Sequence, residues 1–379
     1  MNTANHRSGN ESLRFDDRVT GRQVLQLTSS WQRSVHGYYD IPPWSPRDGR
    51  IAFSSMAPGE REGDIYVMGP DGADLTFLTR SRAMSANDGA MAQWSADGRR
   101  VYFKDREEHG PVIGWADVDT GERGFSPGDL RMVSPAADQL AFHTSVGEHP
   151  DHEVLSRRRE MGVFVQDMAS GQAIQLASVG DCLDLHPRRA EVADWHLFVK
   201  HTKWSPDGRR IMFVFTNEIR FADKFAELPR VKDVYVVNAD GSGLKRVGEF
   251  GNHPLWHPNG RQVLTNSSFE GRPGTSLVLT DVETGERCLA SAAMSGSGHP
   301  SFSPDGSRIV LDHVLRNEGY GSLNLIDVAA GSVEHLVQVR VCDHTHVGTH
   351  LHPVWSRDGR QVLYASDATG TAQLCVIEV

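Results

Sequence analysis

Strand-length runs of alternating apolar and polar residues, each bounded by turn residues, recur along most of the chain. They repeat as one phrase: WSPRDGRIAFSS from Trp44, WSADGRRVYF from Trp94, WSPDGRRIMFVF from Trp204, WHPNGRQVLTNS from Trp256, FSPDGSRIVLD from Phe302 and WSRDGRQVLYAS from Trp355. A degenerate copy, VSPAADQLAFHTS, starts at Val133. Each copy reads as a strand, a tight turn on Asp-Gly or Asn-Gly, and a second strand rich in β-branched and aromatic residues, which is a hairpin with its turn chemistry in place. Most copies continue into a third strand that ends in another turn, as in DIYVMGPDG, DVYVVNADG and LVLTDVETG, and then a short fourth such as LTFLT or LKRVG. Four antiparallel strands repeated in this way predict an all-β, seven-bladed β-propeller, with residues 1–379 forming a single domain.

The two ends of the pattern fit together. The last copy closes on QLCVIEV, one strand short of a blade, while RQVLQLTS (Arg22 to Ser29) has no blade of its own. Residues 20–29 are therefore expected to complete blade 7 and cover the edges that an open sheet would expose. The interval from Val133 to Trp204 exceeds the others, so blade 3 carries insertions at about 146–162 and 178–196, expected as long loops over one face. The basic stretches SRRRE (Ser156 to Glu160) and HPRR at His186 lie in them, and solvated loops are the expectation for both.

Charge and composition narrow the function. With 39 Lys and Arg against 49 Asp and Glu, the net charge of -10 argues against a duplex nucleic-acid binder, which needs a basic face. It also means that an anionic ligand would require a local cationic pocket. No apolar run approaches the roughly 20 residues that cross a bilayer, and the first residues contain no apolar core of a signal peptide, so a cytoplasmic location without membrane contact is expected. Cys182, Cys288, Cys342 and Cys375 lie far apart without CxxC spacing and are expected to be reduced. There is no GxSxG elbow and no phosphate loop.

Aligning the copies on the landmark aromatic exposes a column that propeller packing does not need. Three residues before it stand His201, His253, His299 and His352 in blades 4 to 7, against Ile41, Met91 and Leu130 in blades 1 to 3. The position opens each innermost strand, so equivalent residues are expected to converge at one end of the central channel. The last copy adds HTHVGTHLHP, which places His344, His346, His350 and His352 together. In an extended strand His350 and His352 share a side about 7 Å apart, close enough to share an ion. Several imidazoles suit manganese, iron, nickel or zinc better than calcium. Polar plugs hydrogen-bonding in a wet channel are the other account of the column, and a plain loop the other account of His344 and His346.

The WSPDG phrases resemble the TolB-type propeller repeats over nearly the whole chain. Within that group, GNHPLWHPNG, GSGHPSFSPDG and THLHPVWSRDGRQVLYASD together resemble the oligogalacturonate lyases, seven-bladed cytoplasmic enzymes that cleave short pectic uronides by β-elimination with a bound manganese-type ion. The resemblance implies metal ligation by His299, His350 and His352, proton abstraction by His253 and substrate contact by His201. It departs at two places. The family's fourth ligand, a Gln, is Val347 here, with His346 or water as the replacement, and the family's catalytic Arg has Arg230 and Lys232 as its nearest equivalents. Tyr38 and Tyr39 are expected beside the substrate, since tyrosines stack on sugar rings. The expected activity is thus a carbon–oxygen lyase that takes an acidic oligosaccharide and a divalent transition metal, most readily manganese. Two alternatives stand beside it: a non-enzymatic TolB-type propeller that binds a protein partner, and a lyase or epimerase for a different uronide. Oligomeric state is open.

Overall fold

A computed structural model of the chain describes residues 7–144, 157–217, 230–249, 251–315, 318–341 and 349–379. Each repeat folds as one antiparallel sheet whose strands follow in chain order, and the seven sheets are the blades of a seven-bladed β-propeller. The chain divides into two compact units, Met1–Leu130 with Ser297–Val379, and Arg131–Gly296. The first holds blades 1, 2, 6 and 7, and the second holds blades 3, 4 and 5.

The repeated phrase is legible in atomic terms. In the WSPDG turns the serine hydroxyl donates to the aspartate at 2.6 Å, as in Ser205 to Asp207 and Ser303 to Asp305, and accepts the backbone N–H of Arg210 or Arg308 at 2.9 Å. The glycine that follows sits in the left-handed region, φ 68° at Gly208 and 75° at Gly306, which an L side chain adopts only at a cost. The landmark Trp joins neighbouring blades within each unit. Trp94 Nε1 donates to the Pro43 carbonyl at 2.8 Å, Trp256 Nε1 to Lys203 at 3.3 Å and Trp355 Nε1 to Ser301 at 3.0 Å. The Arg that opens the second strand stacks on the next Trp, 5.6 Å from Arg50 to Trp94 and 4.7 Å from Arg308 to Trp355. Indole donor, guanidinium and turn together explain why the phrase recurs.

The expected closure of the last sheet is present. Strand Gln23–Gln26 pairs antiparallel with Gln373–Glu378, with Val24 opposite Ile377 and Gln26 opposite Cys375. One strand more than expected is added: Leu13–Asp16 pairs with Gln23–Gln26, so blade 7 has five strands rather than four.

The second insertion differs from the long loop expected. Residues Val179–Leu185 form a helix, capped by Ser178, whose hydroxyl accepts from the Asp181 N–H while the Asp181 carboxylate accepts from the Ser178 N–H. Such a reciprocal cap satisfies donors that a first turn otherwise leaves orphaned. Val179, Cys182 and Leu183 pack into the core of the second unit with Val199, Phe215 and Tyr235, and Tyr235 Oη donates to the Cys182 carbonyl at 2.9 Å. A shorter helix, Arg189–Val192, follows. The SRRRE stretch is internal mortar for this insert: Arg158 donates to the Ala193 and Trp195 carbonyls, and Arg159 pairs with Asp181 and Asp184. Most of the first insertion, 146–156, lies outside the described residues. Among the described residues no helix is long and apolar enough to cross a membrane.

Candidate metal centre

The column position is set by backbone geometry. In blade 5, Asn252 lies opposite Asn266 and Leu255 opposite Leu264, so His253 and Pro254 together face one residue. Blade 4 repeats this, with Lys200 opposite Val214 and Lys203 opposite Met212, leaving His201 and Thr202 in the bulge. A bulge of one extra residue re-aims the side chain out of the strand's alternation. The bulged residues have a left-handed backbone, φ 56° at His201 and 49° at His253, and the same conformation recurs at the column position in His352, 45°, and Met91, 53°. Met91 shows that the conformation belongs to the blade and not to histidine.

In the first unit His299, His350 and His352 form a triad whose ligand nitrogens all lie within 4.8 Å of one another. Ring centroids are 4.4 Å apart for His299 and His352, 5.1 Å for His299 and His350, and 5.2 Å for His350 and His352. His299 and His352 are buried and His350 is half-buried, so the cluster has one wet edge. Three neutral imidazoles of this spacing fit one first-row divalent ion.

Behind the triad sits Asp312, buried in strand Arg308–Leu315. His299 Nδ1 lies 3.1 and 3.0 Å from its two carboxylate oxygens. A carboxylate can only accept there, which puts the proton on Nδ1 and the lone pair on Nε2. Burial alone would raise the Asp312 carboxyl, but the His299 imidazole and the hydrogen bonds from His299, with His350 beside them, hold it below the ordinary carboxylate range. The chain reaches this arrangement through Gly298, at φ 65°, where a Cβ would stand 1.7 Å from the Asp312 carbonyl oxygen. Gly298→Ala is therefore expected to destabilise the protein by at least about 1–3 kcal/mol and to weaken metal uptake, as read by denaturant titration and metal competition.

Around the triad lie residues of blades 1 and 2. Tyr38 is edge-on to His352 at 4.8 Å and to His299 at 5.7 Å, and Tyr39 stands 5.3 Å from His299. Tyr39 is buried and Tyr38 half-buried. Asp88 Oδ1 is 3.7 Å from His352 Nδ1, beyond hydrogen-bond distance. His36, outside the column, is buried with its ring edge-on to His352 at 6.5 Å. Burial pushes its imidazole down to about 4, against the smaller opposing pull of the Gly37, His352 and Leu351 backbone. The unfolded chain therefore takes up this proton first as the pH drops. In the metal-free protein, the His36 contribution to folding stability is expected to be fully present above about pH 6.5 and to fall by about 3 kcal/mol on the way to pH 4. His36→Gln should flatten that slope in urea titrations across the window.

The second unit holds the remaining expected residues. His201 is half-buried, and withdrawal from water, then the cationic neighbours Lys203, Lys200 and Arg131, and His253, push it well below its ordinary value. His253 is half-buried, Lys232 opens strand Lys232–Asn238, and Arg230 is exposed with its carbonyl accepting from Arg188 Nη1 at 3.1 Å. His344, His346 and Val347 lie outside the described residues. Asp312 and His36 were missed in the sequence. Asp312 left a signal, a lone carboxylate in the apolar run RIVLDHVL. His36 left none, because residues 36–43 leave the strand register that aligns the repeats.

The comparisons with known proteins place the fold. The family model "TolB beta propeller domain" matches residues 253–379. The uncharacterized peptidase YuxL of Bacillus subtilis is 24% identical over 173 residues, 45% of this chain and 22% of that protein. The uncharacterized protein Atu1656 of Agrobacterium fabrum is 28% identical over 172 residues, 42% of this chain and 52% of that protein. The matches thus span about a fifth and about half of the length of these curated relatives. Among solved structures, an oligogalacturonate lyase in complex with manganese has a TM-score of 0.73 at 18% identity, covering 99% of this chain and 98% of its own. The oligogalacturonate lyase of Vibrio parahaemolyticus has a TM-score of 0.72, also at 18% identity, covering 98% of this chain and 99% of its own. At that identity the likeness shows a shared seven-bladed fold.

Proposed function

We propose that the protein is a metal-dependent lyase that cleaves short uronic-acid oligomers by β-elimination, with manganese as its metal. The observation that carries this reading is the His299, His350 and His352 triad, backed by a buried carboxylate, on a fold shared with a manganese-bound oligogalacturonate lyase. A bound divalent ion would supply Lewis acidity to the uronate carboxylate, worth several kcal/mol in the transition state. The chain's own residues do the rest. His253 takes the C5 proton, and only its neutral form can do so. The C5–H electron pair becomes the C4–C5 double bond as the C4–O bond breaks, the departing sugar oxygen takes a proton from water, and His253 returns its proton to solvent. His201, Lys232 and Arg230 contact the acidic substrate, and the two cationic side chains supply a local positive field within a chain of net charge -10. Tyr38, the more exposed of its pair and edge-on to His299 and His352, offers its ring to the sugar.

Elemental analysis of the purified protein, followed by a screen of uronide oligomers for an ultraviolet-absorbing unsaturated product, tests the reading. Product from uronides but not from neutral oligosaccharides is expected. Absence of unsaturated product from every uronide tried with metal-loaded protein would overturn it.

A further inference from the structure

Asp312 stands where blade packing asks for no acid. The same position after the turn glycine is Ser55 in blade 1, Lys104 in blade 2, Val214 in blade 4, Asn266 in blade 5 and Ala365 in blade 7. At 1% exposure an uncompensated carboxylate would cost several kcal/mol, so its surroundings must repay it. They do so with N–H groups from two blades. Oδ1 accepts from the His299 backbone N–H at 2.6 Å, both oxygens lie within reach of His299 Nδ1, and Oδ2 accepts from the His352 backbone N–H at 3.2 Å. Every contact is with a donor, so an amide in this place would aim its own NH₂ at one of them. The backbone it holds at His352 is the left-handed one, φ 45°, which needs outside support in a residue other than glycine.

One side chain thus grips a ligand of blade 6 and the backbone of a ligand of blade 7. We propose that Asp312 is a positioning residue that locks His299 in its Nδ1–H tautomer and pins the His352 backbone, so that both imidazoles present lone pairs to one ion. This rests on reading the triad as a metal site. Carboxylates behind metal-bound imidazoles commonly set affinity in this way, and their loss costs about 10- to 100-fold in binding.

The test uses cobalt(II) alone with the metal-free full chain. Asp312→Asn and Asp312→Ala are each expected to weaken cobalt binding about 10- to 100-fold in a chelator competition and to change the visible spectrum of the bound ion. Affinity and spectrum equal to wild type would overturn the proposal, as would a wild type that takes up no cobalt. Nitrogen-15 NMR of the wild-type imidazoles gives a second, fold-independent reading. The signal missing from the His299→Ala spectrum is expected to show the Nδ1–H tautomer, whereas free histidine prefers Nε2–H, and finding Nε2–H would overturn the proposal even if Asp312→Asn failed to fold. Uronide turnover enters neither readout. A protein that binds cobalt in an Asp312-dependent way and cleaves no uronide would therefore remove the lyase reading and leave this one standing.

Discussion

Replacing His350 and His352 together by alanine is expected to abolish divalent-metal uptake and uronide cleavage at once, while the blades stay folded. Two of the three nitrogens that lie within 4.8 Å of one another are then gone, and a lone imidazole with water ligands holds a first-row ion too weakly to survive dialysis. The fold should tolerate the change because sheet pairing in blade 7 begins only at Val354 opposite Leu363, beyond both residues. His352 is nonetheless buried, so a loss of about 1–3 kcal/mol in stability accompanies the variant. Elemental analysis after incubation with manganese, alongside a thermal melt, checks both halves. Stoichiometric metal in the double variant would refute the site.

His253→Ala separates base from ligand. If His253 takes the proton, turnover of a uronide oligomer is expected to drop about 10²- to 10⁴-fold with metal content unchanged and substrate affinity near normal, because removing a general base raises the barrier without touching ground-state binding. The wild-type rate should rise with pH on its acid limb, since a protonated imidazole cannot accept the C5 proton. His299→Ala should differ by losing metal and turnover together. Metal loss in His253→Ala would move His253 into the ligand set, and unchanged turnover would remove it from the mechanism.

The repeats, the turn glycines and the strand pairing of the two chain ends were all legible in the sequence because they rest on local chemistry. An Asp-Gly turn closes a hairpin whatever surrounds it, and alternation assigns each strand a buried face. The histidine column was legible for the same reason, since a repeat puts equivalent residues in equivalent places. The helix Val179–Leu185 was not foreseen, although its capping pair Ser178 and Asp181 is a local signal. It is too short to stand alone, and its place is decided by Val179, Cys182 and Leu183 docking on blade 4. The fifth strand of blade 7 likewise depends on an edge that exists only once Gln23–Gln26 has paired with Gln373–Glu378.

At the site, the sequence by itself determined which residue types stand at the head of each blade: imidazoles in blades 4 to 7 and apolar groups in blades 1 to 3. Which of these imidazoles meet was decided by tertiary structure. A left-handed backbone sets the direction of His352, Gly298 lets the chain pass against the Asp312 carbonyl, and Asp312 then sets the tautomer of His299 and holds the backbone of His352. No local rule links residue 312 to residues 299 and 352. Hydrogen bonds between a strand and its neighbouring blade are paid for in chain entropy only when the sheets pack, so a donor set built from two blades comes into being with the fold and cannot be read before it.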